Sequence, residues 1–440
     1  MSAAADLFTV AWQPETEIQS QAVLRSPSLH RFAVFTAVLT FVLLGAGGLV
    51  TSHGVGMAVP DWPNTFGYNM FFFPFSQWVG GVFYEHSHRL IASGVGLCTT
   101  ILAVWLYGKR ARPFLRWLGA ALLVLGLGTL VAMPGRWRDG AVPVLSGLAA
   151  LISSFVWPGS EPARSWLRRL GVIAFFAVVG QGVLGGMRVV LFKDQIGIFH
   201  ATLAQLFFAL ACAIALFTSR WWEQRFGSPW GGEARTLQAK VVGPSKPLAW
   251  LCFGTVALIL GQLVLGATMR HQHAGLAIPD FPLAYGRIWP AVDAQSIARY
   301  NQQRIEVLDA NAITAFQVEL QMVHRLVALG ILCLVIGSAW VARRELGPRH
   351  FAARFTLIWV ALIVVQALLG AATIWSRKAA DIATAHVLVG ALSLAFGSIL
   401  SIILSAEIAT ARKCSPNPAR QSAQSTGPFA APATSGASNN

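Results

Sequence analysis

Charged residues are scarce in this 440-residue chain, and acidic residues are the scarcest. Eighteen Asp and Glu stand against 33 Lys and Arg, and charged residues make up 12% of the sequence, which is about half the fraction of an average soluble domain. The net charge of +15 does not indicate nucleic-acid binding, because the basic residues form short clusters between apolar runs and not one polar face. The composition therefore predicts a membrane protein without a nucleic-acid partner.

Cysteine is also rare, and its placement excludes several kinds of site. The sequence contains no CxxC pair and no zinc-ligand spacing, and four of the five cysteines lie inside apolar runs. This pattern excludes a disulfide framework. The five are Cys98, Cys212, Cys252, Cys333 and Cys414.

Long apolar runs, in contrast, are abundant. A helix that crosses a bilayer needs roughly 20 mostly apolar residues. Eight strong runs meet this length, and two weaker runs at about 115–133 and 141–158 are typical of an extra hairpin. We therefore predict an all-α membrane protein with ten spans, or with eight if the hairpin does not cross the bilayer. The strong runs lie at about 33–52, 85–107, 169–190, 197–218, 248–269, 319–341, 353–374 and 382–406.

The distribution of Lys and Arg predicts the orientation of these spans. Segment 53–84 contains no Lys or Arg, and segment 270–318 spreads four of them over a long loop that also carries four acidic residues. The connections on the opposite side of the membrane hold clusters of basic residues. The positive-inside rule therefore predicts that both termini are cytoplasmic, in a cell inner membrane.

The two halves of the sequence resemble each other. VPDWPNTFGY at 59–68 matches IPDFPLAYGR at 278–287, and HRLIASG at 88–94 matches HRLVALG at 324–330. An even number of spans in each unit gives parallel repeats, which are related by an axis along the membrane normal. We therefore predict two parallel-repeat four-helix bundles with eight core transmembrane helices, and one equivalent pocket in each bundle.

This repeat, with the polar ends of the chain, predicts the domain organisation. The Ser-, Ala- and Pro-rich composition of the C-terminal tail predicts disorder. The predicted units are a cytoplasmic N-terminal arm at 1–32, a first four-helix repeat at 33–218 with a hairpin inserted at about 115–158, a cytoplasmic linker at 219–247, a second four-helix repeat at 248–408 and a tail at 409–440.

Four of the ten histidines lie inside spans at repeated positions: His88, His200, His324 and His386. In the predicted topology each lies within one or two turns of the outer end of its helix, so that the two imidazoles of each half share one depth. Ionisable residues inside spans are costly and usually functional, although a buried His can also serve as an interhelical hydrogen-bond partner. Two imidazoles at one depth on neighbouring helices are typical of axial heme ligands.

We therefore predict one His-ligated heme in each half. Zinc and copper fit less well, because no cluster of Cys, Asp or Glu accompanies either pair of histidines. The other histidines near the outer loops are predicted to be solvated, and they are His53, His86, His271 and His273.

Arg89 and Arg325 directly follow two of the predicted heme ligands. Each side chain has two equally supported roles at this depth. It can extend to the outer interface of the membrane, or it can pair with a heme propionate through a bidentate contact.

Glu85 distinguishes the first half from the second. It lies three residues before His88 and therefore shares its helix face, whereas the second half has the amide Gln321 at the same distance from His324. A carboxylate beside a heme can move protons or stabilise positive charge. We predict that the first pocket performs chemistry and that the second holds a permanent heme for electron transfer. The alternative interpretation is that Glu85 is favoured only by the dipole of the helix N-terminus.

Two further repeated features have mainly structural interpretations. PDWP at 60–63 and PDFP at 279–282 place Asp61 and Asp280 between prolines, which predicts turns that these carboxylates hold. Small residues in two apolar runs predict close helix packing, with the approach of a flat porphyrin as the alternative. They are Gly182, Gly185, Gly186, Gly370, Ala371 and Ala372.

Several motifs taken together are similar to the heme A synthase family. They are EHSHR at 85–89, GQGVLGGMRVV at 180–190, FHATLAQ at 199–205, LGATMRHQHAGLAIPDFP at 265–282 and AHVLVG at 385–390, and the resemblance covers roughly residues 33–110 and 169–406. It implies an enzyme that oxidises a methyl group of its substrate heme O to the formyl group of heme A, for terminal cytochrome oxidases, with heme b as cofactor.

The resemblance also implies roles for single residues. Glu85 matches the catalytic carboxylate, His88 and His200 match the axial ligands of the substrate heme, and His324 and His386 match the ligands of heme b. The implied partners are heme O synthase, cytochrome oxidase assembly factors, an electron donor, membrane lipid and a second copy of the chain in a homo-oligomer.

Two departures from the family pattern are visible. Some members carry a cysteine pair in the first outer loop, but segment 53–84 contains no cysteine. The apolar hairpin at about 115–158 is also outside the pattern.

Two rival functions remain open, a diheme b-type electron-transfer protein such as a quinol oxidoreductase subunit, and a transporter in which the histidines relay protons.

Overall fold

The computed structural model describes residues 27–133, 135, 137–227, 244–303 and 312–414. Most of the predicted N-terminal arm, the middle of the linker and the predicted disordered tail beyond Cys414 lie outside these residues. The described helices are α1 Pro27–Ser52, α2 Gly80–Trp105, α3 Ala111–Ala132, α4 Trp137–Val156, α5 Ser165–Leu191, α6 Asp194–Phe217, α7 Arg220–Phe226, α8 Lys246–His271, α9 Ala294–Gln302, α10 Ala315–Leu346, α11 Phe351–Trp375 and α12 Ala380–Cys414.

All ten predicted apolar runs are helical, which confirms the all-α fold. Within the described ranges, nine helices are long and apolar enough to cross a membrane, and Gly140–Val156 is a shorter apolar helix. Some helices continue beyond the apolar run that predicts them. For example, α10 begins before the run at about 319, because Thr314 and Gln317 form a capping box at its N-terminus.

The core helices form two closed rings of four. In the first ring α1 packs against α2, α2 against α5, α5 against α6, and α6 against α1. In the second ring the order of packing is α8, α10, α11, α12 and back to α8. The two predicted four-helix bundles are therefore present, and each encloses an interior between diagonally opposite helices.

The two bundles share a broad interface formed by α6 and α12. Helix α12 packs against both α1 and α6 of the first bundle, and α6 also packs against α8 of the second. Apolar side chains close this interface, including the buried Phe208 of α6 and Ala391 and Ala395 of α12. The helices that carry His200 and His386 are therefore in direct contact.

The predicted hairpin consists of α3 and α4, which pack chiefly against each other. Glycines allow the close approach of the two helices: a Cβ added at Gly119 would lie 2.8 Å from the carbonyl oxygen of Gly147. At the base of the hairpin, the N–H of Lys109 donates to the Ser160 carbonyl at 2.9 Å, so the chain leaves and re-enters the first bundle at nearly one point.

Candidate functional site

The four histidines singled out by the sequence lie in two pairs, one pair in each bundle. His88 on α2 and His200 on α6 stand at diagonal corners of the first ring, and their imidazoles interact electrostatically. His324 on α10 and His386 on α12 form the corresponding pair in the second ring. The sequence predicts that the two helices of each pair are neighbours, but in the structure they stand diagonally across the ring. The interior of the bundle therefore lies between the two helices that carry the imidazoles.

A glycine of an adjacent helix lies against each of the four imidazole rings. If a Cβ atom is added to the glycine, the ring atom nearest to it is Cε1 in all four cases. An added methyl would therefore crowd the imidazole at Gly47, be tight at Gly266 and Gly370, and make an ordinary contact at Gly185. The distances from an added Cβ to Cε1 are 2.9 Å for Gly47 and His88, 3.4 Å for Gly185 and His200, 3.3 Å for Gly266 and His324, and 3.1 Å for Gly370 and His386.

The hydrogen bonds of the ring nitrogens show how much of each imidazole is left for a ligand. His386 Nδ1 lies 3.0 Å from the Gln366 carbonyl oxygen, and looser backbone hydrogen bonds link His88 to Leu43 and His200 to Gln181. His324 Nδ1 is buried without a hydrogen-bond partner among the described residues. Buried polar atoms in proteins are usually paired. At most one ring nitrogen of each histidine has a hydrogen bond among the described residues, so the other nitrogen can bind a metal.

This donor set fits the iron of a porphyrin better than a metal held by protein alone. Across the described ranges, no group of three or more His, Cys, Asp or Glu side chains could hold a metal ion. A porphyrin supplies the equatorial nitrogens itself and needs only one or two axial ligands from the protein. Two imidazoles on diagonal helices of each bundle are therefore suited to a bis-His heme.

The loop that follows the first helix of each bundle forms a tight turn held by one aspartate. Both carboxylate oxygens of Asp61 accept backbone N–H groups, from Phe66 at 2.8 Å and from Gly67 at 2.8 Å. Asp280 accepts the equivalent donors in the second loop, Tyr285 at 2.7 Å and Gly286 at 2.9 Å. The predicted structural role of the two aspartates is thus confirmed.

Glu85 joins the first of these loops to the helix that carries His88. Its side chain is buried, and its carboxylate accepts the Val59 N–H at 3.0 Å and an Arg89 guanidinium N–H at 2.7 Å. Arg89 also donates to the carbonyl oxygens of Val59 and Asp61, at 2.9 and 2.7 Å. The Glu85 carboxylate is therefore held rigidly, one helical turn from His88.

Gln321 occupies the equivalent place in the second bundle. It is likewise buried, and it both accepts the N–H of Ile278 at 2.8 Å and donates to the carbonyl oxygen of Ile278 at 3.2 Å. Arg325 donates instead to the carbonyls of Leu283 and Asp280, at 2.9 and 2.7 Å. The two bundles thus hold their loops in the same way, and the side chain at this position is ionisable only in the first.

The guanidinium groups of Arg89 and Arg325 donate hydrogen bonds to backbone carbonyls of the two loops. The pairing of either residue with a propionate stays a prediction. Their contacts explain why an arginine directly follows each of these histidines, because several loop carbonyls in each bundle need a donor.

Two of the histidines predicted to be solvated are buried. His86 is 0% exposed, with Nδ1 3.2 Å from the Thr65 hydroxyl and its ring packed against Phe73 and Trp78 at centroid distances of 5.0 and 4.6 Å. His271 is 8% exposed. The prediction is wrong for His86 because the apolar segment of the first loop covers its ring. The aromatic run MFFFPF at 70–75 is the sequence feature that could have predicted this burial.

The predicted exposure does hold for His53 and His273. Arg270, at the end of α8, also lies at the site, close enough to His386 for an electrostatic interaction. In the sequence it is one of the four basic residues of segment 270–318, within the motif at 265–282.

Comparisons with known proteins show which proteins the chain is similar to. The family of cytochrome oxidase assembly proteins, COX15-CtaA, matches residues 141–397. The chain is 22% identical to a heme A synthase of Alkalihalophilus pseudofirmus, over 86% of this chain and 97% of that protein. It is 26% identical to a heme A synthase of Rhizorhabdus wittichii, over 84% of this chain and 92% of that protein. These similarities extend through both bundles.

Proposed function

The chain belongs to the COX15-CtaA family of cytochrome oxidase assembly proteins, and from this premise we propose that it is a heme A synthase that converts heme O to heme A. It is a multi-pass membrane protein, and its relatives are heme A synthases. In the proposed reaction a methyl group of the bound heme O becomes a formyl group, a four-electron oxidation that adds one oxygen atom and has molecular oxygen as its final oxidant. The first bundle binds this substrate through His88 and His200, and the second bundle binds heme b through His324 and His386.

One observation supports the assignment of chemistry to the first bundle. Glu85 and Gln321 hold equivalent loops through equivalent backbone contacts, yet only Glu85 can accept or release a proton. Oxidation of a methyl group removes protons as well as electrons, so a fixed carboxylate near the substrate is suited to general-base catalysis. The bound heme b would supply the electron-transfer chemistry.

The contacts of the two loops indicate what a Glu85→Gln exchange would do to the fold. A carboxylate cannot donate to the Val59 carbonyl, and in the first bundle Arg89 makes that bond instead. In the second bundle the Gln321 amide itself donates to Ile278. Glu85→Gln should therefore keep the loop in place, because its new amide can make the contact that Gln321 makes.

The test uses Glu85→Gln in the full chain, with Glu319→Gln as the matched control, because Glu319 is an exposed carboxylate near the N-terminus of α10. Each purified protein is supplied with heme O and a reductant in air, and the porphyrins are extracted and separated. We expect the wild type and the control to form heme A. We expect Glu85→Gln to bind the porphyrin but to convert it roughly 100-fold or more slowly, the size of effect typical of a lost general base.

Unchanged conversion by Glu85→Gln would remove this carboxylate from the mechanism. Failure of the wild type to convert heme O, with two hemes bound, would instead favour the diheme electron-transfer protein, in which Glu85 needs no catalytic role.

We also propose the location and partners of the enzyme. The basic clusters on one side of the helices favour cytoplasmic termini in an inner membrane. Heme O synthase would supply the substrate, cytochrome oxidase assembly factors would receive the product, and a separate electron donor would serve heme b.

A further inference from the structure

Arg270 stands beside the histidine pair of the second bundle. It lies four residues after Gly266 on α8, and Gly266 is the glycine against which the His324 ring packs. Residues four apart share one face of a helix, and one turn advances 5.4 Å along the axis. Arg270 is therefore about one turn closer than Gly266 to the loop end of the bundle, on the same face.

Among the described side chains, the electrostatic surroundings of Arg270 are positive or neutral. Its charged or titratable neighbours are Arg188 and His386, and its hydrogen-bond acceptors are the Gly48 carbonyl at 2.6 Å and the Ser52 hydroxyl at 2.5 Å. No ion pair of the described residues joins it to a carboxylate. A half-buried cation near the end of a span is costly without an anion, so this position calls for one.

The other arginine near this histidine pair is already engaged. Both terminal nitrogens of Arg325 donate to carbonyls of the second loop, and its guanidinium lies 5.4 Å from the ring centroid of Phe281. Among the described residues, Arg270 donates to two acceptors, and both bonds come from Nη2. It therefore retains donor capacity that Arg325 has committed to the loop.

We propose that Arg270 binds a propionate carboxylate of the porphyrin that His324 and His386 hold. This inference rests on the proposed heme site and identifies the residue that orients the porphyrin within it. A porphyrin ring between the two histidines, with its propionates towards the loop end, brings a carboxylate to the height of Arg270. The resulting charge-assisted pair supplies the missing anion.

The same residue joins the two bundles. Its acceptors, Gly48 and Ser52, belong to α1 of the first bundle, and Gly47 beside them packs against His88. On α12, Thr384 contacts the same place: its hydroxyl lies 3.2 Å from that of Ser52, two residues before His386. Arg270 is thus a positioning residue that links the second heme to the helix supporting the first.

The first test measures the midpoint potential of the heme in the second bundle. We compare Arg270→Gln with Arg287→Gln, a control that removes the same charge from an exposed position in the second loop. We expect Arg270→Gln to lower the potential, because loss of a nearby positive charge favours the ferric heme, and we expect the control and Arg270→Lys to stay near the wild type. Equal potentials in Arg270→Gln and the wild type would overturn the proposal.

The second test separates carboxylate binding from a simple clamp between the bundles. Wild type and Arg270→Gln, each stripped of porphyrin, are titrated with iron protoporphyrin IX and with its dimethyl ester, which lacks the charged carboxylates. We expect the wild type to bind the acid roughly tenfold to 100-fold more tightly than the ester, and Arg270→Gln to discriminate much less. Equal discrimination by the two proteins would contradict the proposal.

A third variant, Ser52→Ala, removes one acceptor of the clamp and leaves the cation. It should keep the wild-type preference for the acid, and loss of that preference would assign Arg270 to the clamp alone. None of these readouts requires conversion of heme O. If no heme A forms, the proposed enzyme activity is wrong. If Arg270→Gln discriminates between the acid and the ester as well as the wild type does, the proposed role of Arg270 is wrong.

Discussion

At the scale of single residues, the repeated sequence predicts which histidines matter but not how their rings are held. His88, His200, His324 and His386 stand out because ionisable side chains are rare in spans and these four recur at matching positions. Of the glycines against them, the sequence predicts close helix packing at Gly185 and Gly370, with the approach of a porphyrin as the alternative, and it gives no signal for Gly47 or Gly266. Their contact with the imidazoles depends on the rotation of each helix in its ring, which a run of uniformly apolar residues does not define.

The glycine contacts lead to a prediction about the first pocket. In Gly47→Ala the new methyl would lie 2.9 Å from Cε1 of His88, a distance that forces the imidazole to move. We expect the variant to lose much of its porphyrin binding in the first bundle, as measured by titration with heme O and the visible spectrum. Gly45→Ala is the control on the same helix, since its methyl would meet Leu388 at an ordinary 3.6 Å. Equal loss in both variants would refute the steric explanation.

At the scale of helices, hydropathy predicts almost every element, because a span must be both long and apolar. What it misses lies in the loops. The short helix Ala294–Gln302 has no apolar run to signal it and begins where Asp293 caps it. The burial of His86 under the first loop likewise depends on tertiary contacts with Phe73 and Trp78.

The hairpin α3–α4 allows a test at this scale. Because its two ends are joined by the backbone hydrogen bond from Lys109 to Ser160, and because its helices pack chiefly against each other, removing residues 111–159 should leave the first bundle closed. We expect the shortened protein to retain both porphyrins and to convert heme O at a rate within a few-fold of the full chain. Loss of porphyrin from the shortened, folded protein would show that the hairpin supports the site.

At the scale of the whole molecule, the two four-helix bundles share one architecture but differ at two functional positions. Both bundles repeat the diagonal histidines, the glycine supports and the aspartate-held turn. Glu85 in the first bundle and Arg270 in the second break this symmetry. The repeat itself could be predicted from matching motifs, whereas the contact of α12 with α1 and α6 could not, since apolar lipid-facing and buried surfaces have the same composition in a membrane protein.

The central claim is that each bundle holds one porphyrin between its diagonal histidines, and an experimental structure of the purified protein with added heme O tests it most directly. We predict one porphyrin with its iron between His88 and His200, and a second between His324 and His386, each at bonding distance from both imidazoles. Porphyrin bound elsewhere, or either histidine pair too far apart for one iron to join, would contradict the account.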